Sequence, residues 1–181
     1  MIEVEFLGTG TSTGVPQLGC ECEVCKSADP RDKRLRCSAI VRTQGVSLLI
    51  DCGQQMLRAS DLHLDALLIT HSHYDHVGGM DDLRPYCREI PFPVYAQPNV
   101  VADIKARIPY CFREHLYPGV PTFDMHPLAG EPFEVKGVRV EPLPVMHYKL
   151  PIFGYRIGNL AYITDAKTIP PSTMARLQGI D

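Results

Sequence analysis

Three observations predict a layered α/β or α+β sandwich, with sheets inside and helices outside: short β-branched runs outnumber helical stretches, two of the joints between runs have hairpin chemistry, and helical stretches recur along the whole chain. The strand runs are residues 2–7, 38–43, 46–50, 66–70, 93–96, 135–140, 153–157 and 160–164. Gln44-Gly45 joins the second run to the third, and Gly158-Asn159 joins the last two, both spacings that suit a two-residue turn. Helical stretches fall at 54–59, 77–84, 100–107 and 172–177. Pro85 is expected to end the second, and Pro170-Pro171 precedes the fourth. Residues 109–121 are rich in Pro and aromatics without a period and read as a long insert loop.

With 181 residues, 45% hydrophobic and 22% charged, the chain has the composition of a globular protein and is expected to form a single domain over 1–181. At this length folding buries roughly 70% of the surface of the unfolded chain, enough for a core without disulfides. A net charge of -3 excludes general attraction to phosphate backbones, so nucleic acid is not a favoured partner. No apolar run reaches the ~20 residues that span a bilayer. The acidic start Met1-Ile2-Glu3-Val4-Glu5 lacks a signal-peptide profile, so a cytoplasmic protein with no membrane partner is expected. Seven cysteines, three of them crowded at positions 20, 22 and 25, suit metal ligation better than a disulfide ladder.

The strongest chemical signal is His71-Ser72-His73-Tyr74-Asp75-His76, directly after the buried 66–70 run and before Val77-Gly78-Gly79. Four metal-capable side chains lie in six residues. On a loop leaving a strand end, His71 and His73 can converge on one ion while Asp75 and His76 turn toward a second, which builds a two-metal site. Imidazole with carboxylate suits zinc and also manganese or iron. Cys20, Cys22 and Cys25 can wrap a tetrahedral zinc, although a closed structural site needs a fourth ligand.

The His-x-His-x-Asp-His form resembles the signature of the metallo-β-lactamase superfamily of metal-dependent hydrolases. Phe6-Leu7-Gly8-Thr9-Gly10-Thr11-Ser12, Leu49-Ile50-Asp51-Cys52-Gly53 and Gly79-Met80-Asp81-Asp82-Leu83-Arg84 are similar to the branch that holds the phosphodiesterase PhnP and the tRNA 3′-end endonuclease tRNase Z. The resemblance runs from residue 3 to about 165. It implies an αββα sandwich with a metal pair at one edge of the facing sheets. It also implies that His147 completes the first metal's ligands, that Asp165 bridges both metals, and that Asp51 orients a metal-bound histidine from behind. In the PhnP-like branch a similar cysteine cluster holds a structural zinc, completed by a histidine from the C-terminal part.

The same pattern asks for one more histidine after Asp165, and no histidine follows His147. The sequence is therefore expected to lack a last strand and helix, with that histidine and the fourth ligand of the cysteine site; a partner copy in a homodimer could supply them. The loop 8–14 could offer backbone N–H groups and hydroxyls to a phosphate, or serve as a turn packed beneath the metals, and the run Arg31-Asp32-Lys33-Arg34-Leu35-Arg36 beside it could hold a substrate phosphate or form a solvated loop. Cys37, Cys52, Cys87 and Cys111 read as apolar fillers. His63, His115 and His126 fall outside the pattern, and the segment 110–117 reads as aromatic packing of the insert.

The implied function is hydrolysis of a small phosphodiester. Two divalent metals, zinc or manganese, lower the pKa of water from 15.7 toward ~7, and Asp75 holds or accepts the proton of the nucleophile. The rival readings are a glyoxalase or lactonase, a tRNA 3′-processing endonuclease, for which charge and length supply no basic arm, and a metal-binding fragment without turnover.

Overall fold

The computed structural model describes residues 1–53 and 63–180. A six-stranded sheet runs in chain order through β1 (Ile2–Gly8), β2 (Ser38–Thr43), β3 (Val46–Ile50), β4 (Ala66–Leu68), β5 (Phe92–Ala96) and β6 (Phe123–Pro127). Its first three strands are antiparallel, and β3 to β6 are parallel. The second sheet is antiparallel, built from β7 (Phe133–Val135), β8 (Val138–His147), β9 (Leu150–Ile157) and β10 (Leu160–Tyr162). The α-helices among the described residues are α1 (Glu23–Lys26), α2 (Tyr74–Val77), α3 (Pro98–Arg107) and α4 (Pro171–Arg176).

The unbroken apolar runs of the first sheet follow from burial on both faces. Ile40, Leu49 and Leu67 point to one side, where they pack with Val100, Val101 and Ile104 of α3. Their neighbours Ala39, Val41, Leu48, Ile50, Ala66 and Leu68 point the other way, into a core shared with Val138, Val140, Tyr155 and Ile157 of the second sheet. Beyond that sheet, α4 docks through the Thr173 hydroxyl, which donates to the Pro144 carbonyl at 2.5 Å. The layers are therefore helix, sheet, sheet and helix. Asp65 ties the two sheets together, accepting from Ser47 N at 2.8 Å and from Lys136 Nζ at 2.5 Å.

The sandwich expected from the sequence is present, and both hairpins form. Gln44 and Gly45 take φ of 52° and 78°, and Gly158 takes 58°. Several elements differ from expectation. The run 135–140 is two strands, because Lys136 (φ 49°) and Gly137 (φ 84°) turn the chain between β7 and β8. The helix expected at 77–84 is one short turn, α2, followed by a 3-10 segment, Met80–Cys87, that continues through Pro85. Proline is tolerated there because the segment lacks the continuous α-helical ladder that it would break. β6 has no sequence expectation behind it, because its apolar/polar alternation, Phe123-Asp124-Met125-His126, spans only four residues before Pro127. The insert includes a 3-10 turn at Pro109–Phe112. The expected helix at 54–59 lies outside the described residues. Among those residues, no helix is long and apolar enough to cross a membrane.

Gly79 sits where the chain leaving α2 crosses the end of β3. A Cβ there would lie 2.5 Å from the Gly53 carbonyl oxygen and 3.1 Å from that of Cys52. Gly79→Ala is expected to destabilise the fold by about 1–3 kcal/mol through backbone overpacking, read as a lower denaturant midpoint at unchanged slope.

Candidate metal centre

Parallel strands β3 and β4 end side by side, and their carboxyl ends open onto one edge of the sandwich, the usual ligand edge of such sheets. Asp51 leaves β3 with φ 57°, and His71 follows the extension of β4. From the second sheet, β8 delivers His147 at its last residue, and the segment after β10 delivers Asp165 at φ 54°. Residues from distant stretches thus meet at one edge.

One ligand atom from each of His71, His73 and His147 lies within 4.8 Å of the others, and the same holds for His71, His76 and Asp165. His71 Nε2 faces His73 Nδ1 at 3.0 Å. His76 Nε2 lies 3.0 Å from Asp165 Oδ2 and 3.3 Å from Asp75 Oδ2. The six side chains singled out in the sequence therefore form one continuous cluster with His71 in both halves.

Asp51 is fully buried behind them. Its carboxylate accepts from Thr70 N at 2.8 Å, from the Thr70 hydroxyl at 2.8 Å and from His76 Nδ1 at 2.7 Å. The Thr70 hydroxyl proton is thus engaged, so at the 3.0 Å contact with His71 Nδ1 the imidazole is the donor. Both histidines are left with Nε2 facing the cluster. The sequence assigned Asp51 to one histidine; the structure has it reach a second through Thr70. Sequence reasoning passed over Thr70, although a hydroxyl closing an otherwise apolar buried strand must find a partner. The loop is held from outside as well. Ser72 Oγ donates to Asp103 of α3 at 2.5 Å, and Arg107 of α3 donates to the Ser72 carbonyl.

Electrostatics show what this donor set requires. Burial, reinforced by the imidazoles of His76 and His73, pushes His71 down to about 3, so it is neutral and offers a lone pair. Burial also opposes charge on His76, but the carboxylates of Asp51, Asp165 and Asp75 outweigh it and push that imidazole up to about 11. The hydrogen bond from His76 holds Asp165 well below the usual carboxylate range. Three carboxylates around one imidazole call for positive charge, and neutral imidazoles beside them supply lone pairs. Both features fit divalent cations, which would displace the proton.

A pocket of about 330 Å³ opens over Asp75, His76 and Asp165, walled by Phe6, Thr9, Thr11 and Cys37. The loop 8–14 is therefore part of the site. Its glycines serve packing rather than a backbone cradle. A Cβ on Gly8 would lie 1.8 Å from the Arg36 carbonyl oxygen, and Gly10 N already donates to the Leu35 carbonyl at 2.7 Å. Thr9 and Thr11 line the pocket, and Arg34 Nη1 donates to Thr9 Oγ1 at 2.8 Å. Arg31 instead pairs with Asp29 at 2.6 Å. Cys37 is not a buried filler. It is half-buried on the pocket wall, with its sulfur 3.2 Å from the Tyr162 hydroxyl and 3.4 Å from that of Thr164. Cys87 is also half-buried, whereas Cys52 and Cys111 are buried.

Cys20, Cys22 and Cys25 bring their sulfurs within 4.8 Å of one another. The Cys25 N–H donates to the Cys22 sulfur at 3.5 Å, and this, with the neighbouring thiol of Cys20, lowers the Cys22 pKa. Gln17 N–H lowers that of Cys25, but the neighbouring thiols outweigh it and raise the net value. Among the described residues no fourth donor joins this group. His63 pairs with Asp65 at 3.1 Å and His126 with Asp124 at 2.8 Å, and His115 is exposed.

A family model for the Beta-lactamase superfamily domain matches residues 47–181, and the chain belongs to that superfamily. It is 49% identical over 170 residues to the octanoyltransferase of Porphyromonas gingivalis, a match that covers 91% of this chain and 35% of that protein. It is 25% identical over 201 residues to a ribonuclease Z of a Mycobacterium species, covering 98% of this chain and 65% of that protein. The chain thus spans about a third of the first relative and just under two thirds of the second. Among solved structures, a diphosphatase from the PhnP family aligns over 100% of this chain and 72% of its own, with 36% identity and a TM-score of 0.89. Zinc-bound PqqB from Methylobacterium extorquens shares the fold, with 24% identity and a TM-score of 0.75 over 100% of this chain and 71% of that one. The likeness to the PhnP and tRNase Z branch, read first from short motifs, extends over the whole chain.

Asp51→Asn replaces the carboxylate that orients His76 and, through Thr70, His71. It is expected to lower zinc affinity 10- to 100-fold, measured by competition with a chromogenic chelator.

Proposed function

We propose that the protein is a metal-dependent hydrolase of small phosphodiesters or diphosphates. The observation that carries this reading is a pocket in which Asp75, His76 and Asp165 share a wall with Thr9 and Thr11, with Arg34 hydrogen-bonded to Thr9. His71, His73 and His147 would hold one divalent cation, and His76, Asp75 and Asp165 a second, with zinc or manganese suited to the donors. When bound, such a pair supplies a nucleophile ionised at neutral pH and neutralises charge on the phosphoryl group. Asp75, with its second oxygen free of His76, would take the proton that the bound water loses on ionising and hold the resulting nucleophile in line. The Thr9 hydroxyl accepts from Arg34 and keeps its own proton to donate to a phosphoryl oxygen, while Arg34 stabilises the charge that grows there. The likeness to a PhnP-family diphosphatase supports this assignment.

A second reading is hydrolysis of an octanoyl ester or thioester. It is supported by the 49% identity to a protein named octanoyltransferase and by a pocket of about 530 Å³ beside Tyr74, lined by Val77, Met80, Ile104 and Ile108.

The zinc- or manganese-loaded protein, assayed against bis(p-nitrophenyl) phosphate and octanoyl-coenzyme A, separates the two. Phosphodiester turnover is expected, with kcat reduced about 10²- to 10⁴-fold in Asp75→Asn and lost in His73→Ala. Turnover of the thioester alone would overturn the first reading.

A further inference from the structure

Among the described residues, four two-residue hairpins join strands, and three use glycine where the backbone turns: Gln44-Gly45, Lys136-Gly137 and Gly158-Asn159. The fourth, between β8 and β9, is Tyr148-Lys149. Tyr148 takes φ 55°, a left-handed conformation that bulky side chains rarely adopt. The residue is 68% exposed, so burial in the core does not account for its presence. The turn directly follows His147 of the metal cluster. Strained backbone that lacks a structural role clusters at functional sites.

Two cations accompany this ring. Lys149 Nζ lies 5.6 Å and Lys167 Nζ 5.8 Å from the ring centre. Lys167 is placed there by backbone pairing, because its N–H donates to the Met146 carbonyl at 2.8 Å and Thr168 bridges the same residue. Among the described residues neither ammonium forms an ion pair. Lys167 stands two residues beyond Asp165, and Tyr148 one beyond His147. Both arms of the cluster therefore carry this patch on their rim.

We infer that Tyr148, Lys149 and Lys167 form a recognition platform for a nucleoside phosphate portion of the substrate. This inference deepens the phosphodiesterase reading and rests on it. An exposed aromatic face stacks on any nucleobase, and two ammoniums without carboxylate partners attract phosphate oxygens. A phosphate draws the flexible lysines off the ring and frees a face for the base. The pairing of ring with cations selects a flat π-system joined to an anion over a bare sugar phosphate, which would engage the lysines alone. None of the three residues lines the pocket of Thr9, Thr11 and Asp75, so the platform grips a part of the substrate away from the bond that breaks.

The test is calorimetric titration of the zinc-loaded protein with AMP and with ribose 5-phosphate. AMP is expected to bind about tenfold more tightly. Tyr148→Ala should erase that preference, Tyr148→Phe should keep it, and Lys149→Ala with Lys167→Ala should weaken both ligands. Equal binding of the two ligands, or an AMP preference that survives Tyr148→Ala, would overturn the platform. Wild-type turnover of bis(p-nitrophenyl) phosphate, measured in parallel, reports separately on the reading beneath it, since binding preference and turnover can fail independently.

Discussion

The buried carboxylate of Asp51 is the constraint on which the site depends. Leaving β3 in a left-handed conformation, it turns back under the adjacent β4 end and accepts three hydrogen bonds. An isolated carboxylate in such a place is costly, and it persists because every lone pair aimed at the protein is met. By fixing His76 directly and His71 through Thr70, it sets the tautomer of one imidazole in each half of the cluster. A neutral isostere would lose the charge that favours the imidazole N–H donor, and with it the orientation of both Nε2 atoms.

Around that anchor, the fold gathers carboxylates that call for positive charge. Two sheets end at the same edge, so His147 and Asp165 arrive from one and Asp51, His71 and His76 from the other. Among non-glycine residues with positive φ, Gln44 and Lys136 are each followed by a glycine in a hairpin, whereas Asp51, Tyr148 and Asp165 stand in or beside the cluster. Backbone strain is thus concentrated around the His/Asp cluster. The helix layer contributes stiffness: α3 clamps the loop at Ser72 through Asp103 and Arg107, so the loop is fixed from the solvent side as Asp51 fixes it from within.

Much of this was legible in the sequence because its physical causes are local. The Gly45 and Gly158 turns, the apolar run 46–50 and the crowding of His71 to His76 each follow from chemistry within a few residues. His147 and Asp165 were legible only through family resemblance, since neither has a distinctive neighbourhood. What stayed hidden depends on tertiary contact. β6 escapes because its alternation is only four residues long, too short to stand out until β5 pairs with it. The Lys136-Gly137 turn is hidden in the sequence because both of its flanks are apolar and β-branched. The roles of Thr70, Cys37 and the loop glycines emerge only once 34–36 lies against 8–10 and Cys37 faces Tyr162. Tyr148 gave no signal at all, as a Tyr-Lys pair is unremarkable until its neighbours place it at a turn built elsewhere with glycine.

The central claim, that these side chains from both sheets hold divalent cations, is tested most directly by anomalous diffraction at the zinc edge from zinc-soaked crystals. Anomalous peaks are expected in the spaces bounded by His71, His73 and His147 and by Asp75, His76 and Asp165. A fully soaked crystal with no peak between those residues would contradict it.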